Sequence, residues 1–152
     1  MSQVPESALS PHQTTNMKKI VLSVLIAGVV LLAMSLILVF IEIKFFPGLV
    51  EEYFSPVFRW SDTSTDWLFY AHPFIVAFAL KWFWERYKDI FKGGDLLRAF
   101  EVALVYGIVA MVPVLWVTYS AIDISLAMVL TWLGYGVLQA FVAGFIFSKI
   151  NP

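Results

Sequence analysis

Lys18-Lys19 followed by Ile20–Ile41, IVLSVLIAGVVLLAMSLILVFI, is a basic pair ahead of 22 residues without a single charge. About 20 consecutive apolar residues suffice for a helix to cross the hydrocarbon core of a bilayer, so this stretch reads as a membrane span. A basic flank and an apolar run also describe a cleaved leader, and Ala33-Met34-Ser35 offers a small-x-small site. The apolar run continues past that site through Leu36–Ile41, which favours a retained anchor helix.

Working outward, three more stretches have the same character: Trp67–Leu80, Val102–Ile122 and Ile124–Ser148. If all four cross, Lys18, Lys19, Lys81, Arg86, Lys88, Lys92, Arg98 and Lys149 fall on one side, and only Lys44 and Arg59 on the other. Cytoplasmic flanks carry the excess of Lys and Arg, so both termini are expected in the cytoplasm. The spans are placed at 20–42, 66–85, 99–119 and 123–148, within one domain covering 18–152. Residues 1–17, polar and rich in Ser, Thr and Pro, read as a disordered cytoplasmic tail.

Composition supports this reading. Hydrophobic residues make up 61% of the chain and charged residues 14%, against roughly 25% charged in a soluble domain. The net charge of −1 leaves no nucleic-acid footprint. There is no Cys, so disulfides, thiolate metal sites and cysteine catalysis are excluded, and two His residues are too few for an all-histidine metal site. No cofactor is expected.

The connection Phe45–Asp66 contains Pro47-Gly48, Glu51, Glu52 and Pro56 and cannot cross. Val50, Tyr53, Phe54, Val57 and Phe58 recur at helical spacing, which reads either as a short amphipathic piece in the outer interface or as an aromatic loop over the end of the bundle. Asp62 to Asp66 supplies N-cap residues for the second span, Gly93-Gly94 ends its helix, and Asp95 is placed to cap the third. Ser120-Ala121-Ile122-Asp123 has capping-box form, predicting a tight antiparallel hairpin of the last two helices. The expected fold is therefore all-α: a four-helix transmembrane bundle with a tight final hairpin and a short amphipathic outer segment.

Several constellations could carry function. Gly136, Ala140 and Gly144 lie four residues apart on the last helix, as do Ala103 and Gly107 on the third. Small residues at this spacing let helix backbones approach closely, within the chain or against a partner. Thr131, Tyr135 and Gln139 form a polar stripe on the last helix, with Tyr106 at matching depth on the third. An amide at mid-span must face protein rather than lipid, so this stripe is either interhelical glue or a path or ligand site. His72, ahead of Pro73, and Glu42 lie at similar outer depth and could converge in a polar pocket. Lys81 and Glu101 are placed as an inner-rim ion pair, and Lys81/Glu85 as a favourable i,i+4 pair. The central thirds of the spans contain no Asp, Glu, Lys or Arg. This argues against an ion-coupled pump and separates the chain from the small multidrug exporters, which depend on an embedded Glu in the first helix.

There is no Gly-rich phosphate loop, nucleophile elbow or HExxH-type motif, so no catalytic residue is assigned and the balance leans away from an enzyme. In architecture the chain resembles small uncharacterised four-helix bacterial inner-membrane proteins through Met17–Ile41, Ala103–Ile108 and Gly134–Lys149. The resemblance implies a bacterial inner-membrane protein of unassigned activity. Three functions remain open: a non-enzymatic accessory or assembly protein packing through its small-residue faces, a small oligomeric transporter or channel component with a path near Gln139, and a membrane enzyme or lipid-binding protein using His72 and Glu42. The expected partners are the lipid bilayer and a membrane protein or further copies of the chain.

Overall fold

The structure, a computed structural model, describes residues 11–58 and 64–152. Among these the elements are α1 (Pro11–Phe45), α2 (Pro47–Glu52), α3 (Trp67–Tyr87), α4 (Asp95–Tyr106), a π-helical turn (Gly107–Met111), α5 (Val112–Ala121) and α6 (Leu126–Ile150). The described residues contain no strand. Three helical rods are long and apolar enough to cross a membrane: Met17–Phe45, Asp95–Ala121 and Leu126–Ile150. The chain therefore has the make-up of a membrane protein.

α3, expected as a fourth span at 66–85, forms a helix of 21 residues, about 31 Å long at 1.5 Å per residue. It is not among the three apolar rods, because His72, Pro73 and Lys81 dilute its hydropathy. α1 begins at Pro11, inside the stretch read as tail; proline is well placed at a helix start, where its missing N–H has no helical partner to lose. The remainder of that tail lies outside the described residues, as do Arg59, Trp60 and Asp62.

The long third rod is not uniform. The Val112 N–H reaches back to the Gly107 carbonyl, five residues earlier. Pro113 explains this: it offers no N–H to the Val109 carbonyl and its ring crowds that carbonyl, and one widened turn relieves both problems.

Two expected caps are corrected. The N-cap of α6 is Ser125, whose Oγ accepts from the Met128 N–H at 3.1 Å. Ser120 instead lies within α5 and donates back to the Trp116 carbonyl at 2.7 Å. Asp95 stands inside the first turn of α4, after the N-cap Gly94. There its carboxylate pairs at 2.5 Å with Lys149 at the far end of α6.

α1 packs on α3 and α6, and α4 packs on α6. The main core, Ala27, Leu31, Ala77, Leu80, Trp84, Val102, Ala103, Ala140, Ala143 and Phe147, lies toward the end of the bundle marked by Lys81. A smaller cluster, Leu115, Ile124, Met128 and Val129, lies toward the end marked by Glu42, with Phe58 and Trp132 against it. Large apolar side chains cover the outside: Trp116 is 73% exposed and Val109 70%. In water such a surface would aggregate; against lipid it is ordinary.

The small-residue stripe is occupied within the chain. A Cβ added at Gly144 would stand 3.2 Å from the Ala99 Cα and the Val102 Cβ, and one at Gly107 would stand 3.0 Å from Val137 Cγ2. Ala103 and Ala140 are buried. At Gly136 the neighbour is the flexible Met111 side chain. Gly28 performs the same service between α1 and α3, where a Cβ would meet the Phe74 ring.

Candidate functional site

Polar side chains collect at the two ends of the bundle in different states. At the Lys81 end most are matched to one another, although Arg98 Nε is buried without a hydrogen-bond partner among the described residues and Lys81 Nζ is met by an ion pair alone. Lys81, 1% exposed, holds its Nζ 2.6 Å from Glu85 Oε1 and 5.1 Å from the centroid of the Phe147 ring. The same Glu85 oxygen accepts from Asn151 Nδ2 at 2.6 Å. Asn151 also presents its carbonyl to Trp84 Nε1 at 2.9 Å and its Oδ1 to Lys88 Nζ at 3.4 Å. Arg98 lies over the Trp84 ring at 4.6 Å and donates to the Lys88 carbonyl at 3.0 Å. Lys81 thus turns to Glu85 on its own helix. A Lys81–Glu101 pair is not among the ion pairs of the described residues, which are Lys81–Glu85, Lys88–Glu85 and Lys149–Asp95.

At the Glu42 end, α1, α3, α6 and the segment after α2 line a half-open cavity of about 190 Å³, bordered by Ser35, Leu38, Val39, Glu42, Tyr53, Phe69, His72, Trp132 and Tyr135. α1 supplies Ser35 and Glu42, seven residues apart and so on one helical face. α3 supplies His72 just ahead of Pro73, where the helix lacks one backbone donor. Tyr53 arrives from a turn after α2 and is anchored there. Its hydroxyl accepts from Trp132 Nε1 at 2.6 Å, and its ring packs with Phe58 at 5.4 Å and Trp132 at 6.3 Å between centroids. Partial burial raises the pKa of Tyr53, with the Trp132 hydrogen bond a smaller opposing effect, so the phenol remains a proton donor at neutral pH. Glu52 accepts the Ser125 N–H at 3.1 Å and ties this segment to the start of α6.

Below the cavity runs a hydrogen-bonded chain. Gln139 Nε2 donates to Tyr135 Oη at 2.7 Å, Tyr135 contacts Ser35 Oγ, and Ser35 Oγ donates to the Leu31 carbonyl at 2.7 Å. Gln139, 1% exposed, faces protein. Beyond Leu31 the interior is closed by the apolar main core.

Some expected site residues lie apart from this group. Thr131 hydrogen-bonds the Ala127 carbonyl of its own helix. Tyr106 lines a separate, largely apolar cavity of about 460 Å³ with Phe78, Trp82, Phe83 and Val109. Sequence reasoning missed Ser35, Tyr53, Phe69 and Trp132. The spacing of Ser35 and Glu42 was available as a signal; the inward fold of Tyr53 was not.

Among the described residues neither Glu42 nor His72 makes a side-chain hydrogen bond or ion pair, and no group of three or more His, Asp and Glu comes together. The cavity can therefore offer a carboxylate, an imidazole and phenol groups to something that enters it. No protein-family model, curated protein or solved structure matches this chain.

Proposed function

We propose that the chain is a four-pass integral membrane protein of a bacterial-type inner membrane, with both termini cytoplasmic, that binds a small ligand in the cavity at its outer end. The carrying observation is the convergence of four separate segments on one cavity whose carboxylate and imidazole have no hydrogen-bond or ion-pair partner among the described residues. Uncompensated polar groups in a partly desolvated site cost free energy, and a fold that brings them together from four segments retains them for a ligand.

α3 serves as the fourth span. Lys81 lies buried near the inner rim with its charge met by Glu85, while the tryptophans of α3 sit near the two interfaces. A conduit draws less support, because the polar chain Gln139–Tyr135–Ser35 ends against Leu31 and the closed core. An accessory role through the small-residue faces also draws less support, because those faces already hold α4 against α6.

Labelling of introduced cysteines tests the reading, since the chain has no native Cys. Glu42→Cys and His72→Cys are expected to react with a membrane-impermeant maleimide in intact cells. Lys92→Cys, on the loop before α4, is expected to react only after permeabilisation. Reaction at position 92 in intact cells would overturn the topology, and protection of both 42 and 72 from either side would overturn the open pocket.

A further inference from the structure

We infer that the cavity at the Glu42 end is a site for an organic ammonium group, free or carried on a lipid headgroup; this rests on the pocket reading above. Three observations carry it.

The first is charge. Among the described residues Glu42 is the one formally charged residue lining the cavity, and no described Lys or Arg is paired with it. Lys44, two residues on, sits on a different face of the helix, with its Nζ 5.6 Å from the centroid of the Phe45 ring. An anion would meet the carboxylate with nothing to offset it, and a neutral ligand would leave that charge uncompensated in a partly desolvated site.

The second is the wall. Tyr53, Phe69, Trp132 and Tyr135 line the same space. Aromatic faces attract cations through the ring quadrupole, and an aromatic cage beside a carboxylate suits an alkylated ammonium, which has too few N–H groups to need a full set of acceptors. Trp132 and Tyr53 are fixed against each other by their hydrogen bond, and Phe58 stacks edge-on against Trp132 with centroids 6.1 Å apart, so the wall is pre-formed.

The third is size and chemistry. The volume, about 190 Å³, is the room of about six liquid waters. That suits a headgroup-sized cation. A divalent metal ion would find one carboxylate and one imidazole, short of a donor set.

The test uses the full-length protein in phosphatidylglycerol nanodiscs, whose lipid carries no ammonium, with ¹⁵N-labelled tryptophan. The Trp132 indole resonance is identified by its loss in Trp132→Phe. Choline is titrated against its uncharged carbon isostere, dimethylbutanol. A saturable Trp132 shift with choline, and binding of the isostere weaker by about tenfold or more, is expected. Glu42→Gln is expected to lose about tenfold in choline affinity while melting as the wild type does. In phosphatidylcholine nanodiscs, a Trp132 resonance already shifted and insensitive to added choline would identify the lipid headgroup as the source. An unshifted resonance that choline still titrates would identify a free ligand. Equal binding of choline and isostere overturns the ammonium assignment without need of any variant. So does the absence of any Trp132 shift with choline or phosphatidylcholine. Cysteine labelling at 42 and 72 separates the failures: if both label from outside while choline does not bind, the pocket stands and its ligand class falls.

Discussion

The two ends of this bundle use similar residues to opposite effect. At the Lys81 end, Lys81, Glu85, Trp84, Lys88, Arg98 and Asn151 form ion pairs, hydrogen bonds and cation–π contacts with one another. At the Glu42 end, a carboxylate, an imidazole and four aromatic rings surround an open volume. The first arrangement lowers the free energy of the folded chain. The second leaves polar capacity unused, which is what a ligand needs. Residue type is similar at the two ends; in the proposed reading the presence or absence of an internal partner among the described residues separates structural polar groups from ligand-binding ones.

The contrast makes graded predictions, each readable as a change in thermal unfolding in nanodiscs. Glu85→Ala is expected to have the largest effect, about 3 kcal/mol, because it strands the buried Lys81 ammonium. Lys81→Met in the same background should recover much of that loss, and failure to recover would mean that the pair is not what holds this end.

Gly144→Ala comes next, at about 2 kcal/mol, since the new Cβ meets the Ala99 backbone and the β-branched Val102 at 3.2 Å, where nothing flexible can give way. Gly134→Ala, on the same helix with no atom within 4 Å, is its control and should stabilise by up to about 1 kcal/mol through helix propensity. A Gly144→Ala protein as stable as wild type would return the small-residue stripe to the pool of partner-facing surfaces. Trp84→Phe, which removes the indole N–H donated to Asn151 while keeping most of the buried ring, should cost about 1 kcal/mol.

The smallest effect belongs to the other end. Glu42→Gln should alter stability by no more than about 0.5 kcal/mol, because its carboxylate has no partner to lose among the described residues. If it destabilises the protein as much as Glu85→Ala does, the Glu42 end is structural after all and the comparison fails.

Much of the fold was legible because membrane physics imposes simple rules. The uncharged runs at Ile20–Ile41, Val102–Ile122 and Ile124–Ser148 each became part of an apolar rod, and the helical content follows from the need to satisfy every backbone group within its own segment. Details that depend on side chains meeting across the bundle were less accessible. Ser120-x-x-Asp123 looked like a capping box, yet Ser125 caps α6, because the chain stays extended at Ile122 after α5 ends. The π-helical turn was not foreseen, although Pro113 was visible as its cause. Glu42 and His72 stand out in the sequence by their similar outer depth and Tyr135 and Gln139 by their spacing; the structure places Glu42, His72 and Tyr135 on one cavity and Gln139 below it. Equal depth on neighbouring helices does not specify azimuth: the Tyr106 ring turns toward α3, while Ser35 of α1 reaches Tyr135.

The sequence by itself determined that the chain is helical and apolar enough for a membrane, and where its long rods lie. These follow from local composition, which hydrophobic transfer and backbone hydrogen bonding read residue by residue. Only the tertiary structure decided which polar groups are matched and which stay open. Lys81 found Glu85, Trp84 found Asn151 and Ser35 found Tyr135, while Glu42 and His72 came to the same cavity without pairing. Partnership between side chains far apart in sequence depends on helix rotation and on the close approach that Gly28, Gly107 and Gly144 permit. Those quantities are set by packing between helices, and no single segment carries them.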